Sequence, residues 1–394
     1  MPCIILDIHN FTYINSFFDV AFSDEILKKF SQNLLEQFKK YNYAFIARFK
    51  SDEFAIFLEI PENQTNNIET FITEIFEQLN KKIEIHQLEF YLNFHCGIAL
   101  FPEHSKNARN LINLAQIALK KCKTENIKNI EFYTKTIEER TKLYFLVQQK
   151  SNYFQFNNEF FIVFHPYNHI QSKETIGFEI LSRWNEPNYG NIPPDQFISI
   201  FEKSGLIKSF EIALIEHFIK TYQKVINNEF LKNKMFSLNL SPISFGDPYL
   251  MEHIITLFLN SNIPLSSIII EITESSYIES FDYASQIIQK LKNSGFNIAI
   301  DDFGTGYSSL RYILDLNIDF LKIDKIFIQN YNDKKSYTIL ETITHLSKSL
   351  GIKTIAEGIE TEKQLELIKQ LDINYGQGFL FSKPLLLNQL INKI

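Results

Sequence analysis

The sequence predicts an α/β protein in two parts, a small α/β sandwich with an antiparallel sheet followed by an eight-stranded (β/α) barrel. Length is the first ground: 394 residues, 45% of them hydrophobic, supply material for two cores. The second is a change of pattern near residue 140, where loosely alternating strands and helices give way to short β-branched runs at regular intervals. Each of those later runs closes on a polar residue, which is the third.

In the first part the strand-like runs are "CIILDI", "YAFIARF", "EFAIFLEI" and "FYLNFHCGIALF". Helices are expected over residues 68–80 and 107–122, the latter with Leu111, Leu114, Ala118 and Cys122 on one face. "EFAIFLEI" and "FYLNFHCGIALF" alternate well enough to be expected as antiparallel neighbours. A charged helical stretch, "KTIEERTKLYFLVQQK", leads onward without a Gly/Pro/Ser linker, so a semi-rigid joint is expected between domains 1–140 and 141–394.

In the second part the polar strand ends are Glu179, Asn239, Glu271, Asp301, Lys322, Glu357 and Gln377, spaced by 60, 32, 30, 21, 35 and 20 residues. Most intervals hold a helix. Ala284, Ile287, Ile288 and Leu291 form one apolar stripe that stops at Gly295, and Ile339, Ile343, Leu346 and Leu350 another that stops at Gly351. Strand, polar residue, helix, glycine, strand is the repeat of a parallel (β/α) barrel, whose strand ends share one rim. An acid at any one of these positions is more often a helix N-cap or a solvated rim residue. Seven strand ends in register, all carrying metal-competent or phosphate-competent groups, are hard to obtain from packing alone. Carboxylates gathered at one mouth raise one another's pKa, and divalent cations relieve them; hard oxygen ligands suit Mg²⁺ or Mn²⁺. The adjacent Asp301 and Asp302 suit a bridge between two ions, and Lys322 would hold a water or a phosphate oxygen.

Composition excludes other classes. A net charge of -7 and a pI of about 5.8 argue against a nucleic-acid polymer as partner. Cys3, Cys96 and Cys122, with no C-x-x-C, suit a reduced compartment. With no apolar run of membrane-spanning length and no basic leader, a cytoplasmic location is expected.

The motifs "GFEILSRW", "NLSP", "EITES", "DDFGTGYSSL", "LKID", "AEGIET" and "QGFLFSKP" make residues 145–394 resemble the EAL domain, a phosphodiesterase of the bacterial second messenger cyclic di-GMP. Ile180 stands where the family's alanine is usual. The resemblance implies that Glu179, Asn239, Glu271 and Asp301 bind one metal ion, and Asp301, Asp302 and a glutamate of "AEGIE" a second. It further implies that Lys322 positions the attacking water and that Glu357 is general base or second-metal ligand. Arg183, Gln377, Glu360 and His165 are implied substrate contacts, His165 standing where the family usually has glutamine. Glu274 and the loop Phe303, Gly304, Thr305, Gly306 match the segment that couples metal binding to dimer contacts, so a homodimer is expected. The implied reaction is hydrolysis of cyclic di-GMP to linear pGpG; the alternative is a non-catalytic cyclic di-GMP receptor acting through a partner protein.

"ARFKSDEFAIFL" in the first part resembles the signature of the GGDEF (diguanylate cyclase) domain, with Lys50 and Ser51 in place of both glycines. Asp7 and Asp52 match metal-site positions, Asn15 and Asp24 guanine contacts, and Glu53 belongs to the same degenerate site, whereas His9 replaces a second aspartate. Side chains at the two glycine positions obstruct the approach of a triphosphate, so cyclase activity is expected to be lost. GTP or a guanine nucleotide remains a candidate ligand of this part, beside a purely scaffolding role.

Overall fold

The computed structural model describes the chain except residues 42, 61–66, 80–81, 87, 126–127, 150–153, 155, 157–158, 226, 275, 277–280, 305–309 and 393–394. Contacts divide it into two compact units, Met1–Leu146 and Val147–Ile394. The charged helix, Lys135–Gln149, lies mostly in the first, where Lys120 sits over the rings of Tyr144 and Phe145.

The first unit is built on strands β1 (Pro2–Ile8), β2 (Ala44–Arg48), β3 (Glu53–Leu58), β6 (Phe94–Leu100) and β7 (Ile130–Phe132), with β4 (Ile83–Ile85) and β5 (Leu88–Phe90) as a separate hairpin. The sheet order is β2-β3-β1-β6-β7. The expected pairing of "EFAIFLEI" with "FYLNFHCGIALF" is therefore corrected: β1 lies between them, antiparallel to both. Every residue of β1 is buried. Ile4, Leu6 and Ile8 face helices Val20–Phe38 and Ile68–Leu79, while Cys3 and Ile5 face helix Ala108–Glu125 through Leu111, Leu114 and Leu119. A strand apolar on both sides belongs at the centre of a covered sheet. The sheet is also not wholly antiparallel, since β7 joins β6 in parallel.

The second unit is a barrel of β8 (Phe160–His169), β9 (Thr175–Glu186), β11 (Met235–Leu240), β12 (Ile268–Thr273), β13 (Asn297–Phe303), β14 (Phe320–Ile323), β15 (Lys353–Ala356) and β16 (Tyr375–Gln377). A short β10 (Gly190–Ile192) pairs outside it with the end of β9. From β9 round to β16 the barrel strands are parallel, but β8 is antiparallel to both β9 and β16 and closes the ring. This departs from a wholly parallel barrel because only a short turn, no crossover helix, joins β8 to β9. Glu179 likewise lies within the long β9 and not at its end. Helix Phe281–Ser294 buries Ala284, Ile287, Ile288 and Leu291 as expected, and both Gly295 and Gly351 take left-handed φ past their helices. On helix Lys334–Leu350 the stripe is rotated: Leu340 and Ile343 are buried and Ile339 is exposed.

Candidate active site

Inward-pointing residues near the C-terminal ends of the parallel strands meet around one ammonium. Lys322 on β14, 2% exposed, reaches Glu357 Oε1 at 2.7 Å, Glu271 Oε2 at 2.9 Å, Asp301 Oδ1 at 3.0 Å and Glu179 Oε1 at 3.5 Å. Strand register explains the convergence: Asn239 lies beside Glu271, and Asp301 is one step up from the residue paired with Ile272. Asn239 Nδ2 donates to Glu179 Oε1 at 2.8 Å, and Gln377 Nε2 donates to Glu179 Oε2 at 2.8 Å.

Strict alternation would send one of two consecutive aspartates away from the mouth. The β13–β14 register shifts between Ile300 and Phe303, and Asp302 takes φ 53°, so the strand bulges at the pair. Bulges re-aim side chains. Two acid groups result, Glu179 with Glu271 and Asp301, and Asp301 with Asp302 and Glu357, each with one oxygen per residue within 4.8 Å of the others. Asp301 belongs to both.

Burial sets the electrostatics. It would lower the Lys322 pKa, but Asp301, Glu179, Glu271 and Glu357 outweigh it and hold the ammonium charged, its pKa well above the usual value. Burial also pushes Glu271 well above the carboxylate range, Glu357 up to about 8 and Asp302 up to about 7, with neighbouring carboxylates adding to each. Glu179 is held below the usual value because Lys322 and the donors Gln377 and Asn239 overcome its burial. One ammonium thus offsets only part of the mutual repulsion of the acid cluster, and further positive charge in the mouth would relieve the rest.

A cavity of about 310 Å³ opens beside the acids, lined by His165, Glu179, Glu357, Glu360 and Gln377. Gln377 Nε2, already donating to Glu179, lies 2.7 Å from His165 Nδ1. An amide nitrogen only donates, so Nδ1 accepts and the ring proton sits on Nε2. Arg183, further along β9, is half-buried and donates to the Ser182 carbonyl at 2.8 Å; it is not among the cavity-lining residues. Glu274 is buried and accepts from the Gly304 amide at 2.7 Å, beside the buried Phe303. Thr305 and Gly306 lie outside the described residues. Lys325, Gln329 and Phe379 also line the cavity, and the motif reading missed them. Their signal was position, since Lys325 and Phe379 closely follow barrel strands and Gln329 is one helical turn past Lys325.

In the first unit Asp7 and Glu53 are register partners on β1 and β3, and His95 on β6 flanks Asp7 from the other side. Lys123 Nζ lies 2.5 Å from Asp7 and 3.5 Å from Glu53. The β2–β3 hairpin is held by Arg48 donating to the Ser51 carbonyl at 2.8 and 2.5 Å and by Phe49 N donating to the Glu53 carbonyl at 2.7 Å. Lys50 pairs with Glu53 at 3.7 Å, and the Ser51 hydroxyl donates to Asp52 at 2.6 Å. Asn15 and Asp24 are exposed on helices Phe11–Phe17 and Val20–Phe38.

A closed α/β barrel with two oxygen-rich acid groups sharing one aspartate defines a protein equipped for divalent cations. The chain belongs to the EAL domain family, whose model matches residues 150–384; the GGDEF (diguanylate cyclase) model matches residues 1–129. It is similar to the cyclic di-GMP phosphodiesterase PdeR of Escherichia coli, at 28% identity over 97% of this chain and 57% of the relative. Similarity to the bifunctional diguanylate cyclase/cyclic di-GMP phosphodiesterase MucR of Pseudomonas aeruginosa is 27%, over 99% of this chain and 56% of that protein. The chain spans about half the length of the curated relatives it matches. Among solved structures, the PaMucR phosphodiesterase in complex with c-di-GMP is 31% identical with a TM-score of 0.59, covering 63% of this chain and 99% of that one. No helix among the described residues is long and apolar enough to cross a membrane.

Proposed function

We propose that the barrel hydrolyses one phosphodiester of cyclic di-GMP to give linear pGpG, with two divalent cations, Mg²⁺ or Mn²⁺, in its mouth. The observation that carries this reading is the shared Asp301: one carboxylate serving two acid groups suits a pair of ions, and the relatives named as cyclic di-GMP phosphodiesterases supply the substrate. The donor set fits such ions, being hard oxygens in two groups of three with the donor atoms of each group within 4.8 Å of one another. Glu179, Asn239, Glu271 and Asp301 would hold one ion, and Asp301, Asp302 and Glu357 the other. Bound there, such ions polarise the phosphodiester and lower the pKa of a coordinated water.

The chain's own groups do the rest. Lys322 offers its three ammonium protons at the centre of the mouth, where an attacking water or a phosphoryl oxygen needs a donor. Glu357, ionised once the mouth carries added positive charge, accepts the proton of that water. Gln377 keeps Glu179 oriented, His165 and Glu360 line the space beside it, and Arg183 brings a fork of donors suited to a phosphodiester. No covalent intermediate is needed.

For the first unit we propose loss of cyclase activity. Lys50 and Ser51 occupy the hairpin tip that glycines would leave open, and the Lys123 ammonium already compensates Asp7 and Glu53. A regulatory or dimerising role follows, with GTP or another guanine nucleotide as its candidate ligand. The assembly we propose is a homodimer through the EAL domain, with Glu274 and the loop from Phe303 coupling the mouth to the contact.

Chromatography of cyclic di-GMP incubated with Mn²⁺ and the protein, beside Glu179→Ala, tests the reading. Linear product from the first tube only is expected. Intact nucleotide in both overturns it, and tight metal-independent binding without turnover would establish a receptor instead.

A further inference from the structure

Glu211 is the one buried acid of the barrel unit, among the described residues, that sits on a helix and outside the mouth; it is 5% exposed on helix Ile207–Gln223. Its neighbours on that face, Phe210, Leu214, Ile215 and Phe218, are apolar core, so a carboxyl group there is costly unless something requires it. What requires it is a backbone amide: Ser241 N donates to Glu211 Oε1 at 2.8 Å.

Ser241 is the first residue beyond β11, whose pairing with β12 ends at Leu240 and Ile272. Its amide is therefore past the ladder, and in this buried setting it must find a partner elsewhere. Ser241 also caps the short helix Pro242–Phe245, its hydroxyl accepting from Ser244 N at 3.2 Å, and Phe245 at the end of that helix is fully buried. The segment is thus tied down by Glu211 at one point and by the cap at the next. Asn239 lies two residues before Ser241 on the same strand end, with its amide 2.8 Å from Glu179.

We propose that Glu211 is a positioning residue for the metal site: by gripping the Ser241 amide it fixes the end of β11, and with it the Asn239 side chain against Glu179. This rests on the metal reading given above. Partners behind a ligand set its orientation, and losing one typically costs about 10–100-fold in metal affinity. Because Glu211 acts through the backbone, the lower end of that range applies.

The test is Mn²⁺ binding to the full chain, followed through the electron paramagnetic resonance of free Mn²⁺, with circular dichroism to verify folding. Glu211→Leu is expected to weaken binding about tenfold, and Glu211→Gln, which keeps an acceptor oxygen, to restore the wild-type value. Ser241→Pro removes the donor while suiting the observed φ of -65°, and is expected to match Glu211→Leu, with Ser241→Ala controlling for the lost cap. If Glu211→Leu does not fold, Ser241→Pro decides alone. Wild-type affinity in Glu211→Leu and Ser241→Pro, with binding lost in Asp301→Asn, would overturn the inference and leave the metal site standing. Unchanged binding in Asp301→Asn as well would overturn the metal reading itself.

Discussion

Lys322 is the single side chain on which the mouth depends, because four carboxylates face its ammonium within 3.5 Å. Removing one partner from a buried ionic group costs about 3–5 kcal/mol. Lys322→Met is therefore expected to lower unfolding free energy by that amount in chelator, with part of the loss recovered on adding Mn²⁺; denaturant melts in both buffers check it. Glu211 contributes a pH dependence of its own. Burial raises its pKa to about 7, with Glu202 adding and the Ser241 amide opposing. A carboxyl raised on folding gives stability that is full below the unfolded value and is lost as pH climbs through the folded one. Between about pH 5 and 8 wild type should lose up to about 3 kcal/mol that Glu211→Gln does not lose, as parallel urea titrations would show. At His165, Gln377 fixes the Nε2–H tautomer next to the cavity. With a cavity-lining ring and its hydrogen bond to Gln377 removed, His165→Ala should raise KM about tenfold or less with kcat nearly unchanged, which steady-state kinetics will read.

At the scale of elements, the barrel repeat was legible because most strands are short apolar runs closing on a polar residue and the helices between them carry separate apolar stripes. The bulge at Asp301 and Asp302 was not: it is a register shift between β13 and β14, and register belongs to a pair of strands. The antiparallel β8 escaped for a similar reason, since its sequence does not state which neighbour it joins. In the first unit, helix Ala108–Glu125 packs so closely on β6 that a Cβ at Gly97 would stand 2.0 Å from the Ala115 carbonyl oxygen and 2.2 Å from Leu119 N. Backbone cannot yield as a flexible side chain does. Gly97→Ala is expected to destabilise the first unit by about 1–3 kcal/mol while the phosphodiesterase turnover proposed for the barrel persists, measured by melting and product assay on one preparation.

For the whole molecule, two compact units each with its own core predict two thermal transitions. Acid groups able to hold a metal ion lie, among the described residues, in the barrel. Mn²⁺ at about 100 times its dissociation constant adds about 2.7 kcal/mol to whatever binds it. Calorimetry should then show one transition moving upward with Mn²⁺ and the other staying; movement of both, or of neither, would contradict the assignment. By itself the sequence determined the two-part α/β architecture, the motifs of both domains and the polar strand-end residues that meet around Lys322, because these follow from local periodicity and from residue type at strand ends. Only the tertiary structure decided that β1 occupies the centre of the first sheet, that β8 closes the barrel in the opposite sense, that both aspartates reach the mouth and that Glu211 stands behind Asn239. Those are relations between segments distant along the chain, and they are set by which surfaces are buried together and which backbone groups still lack a partner.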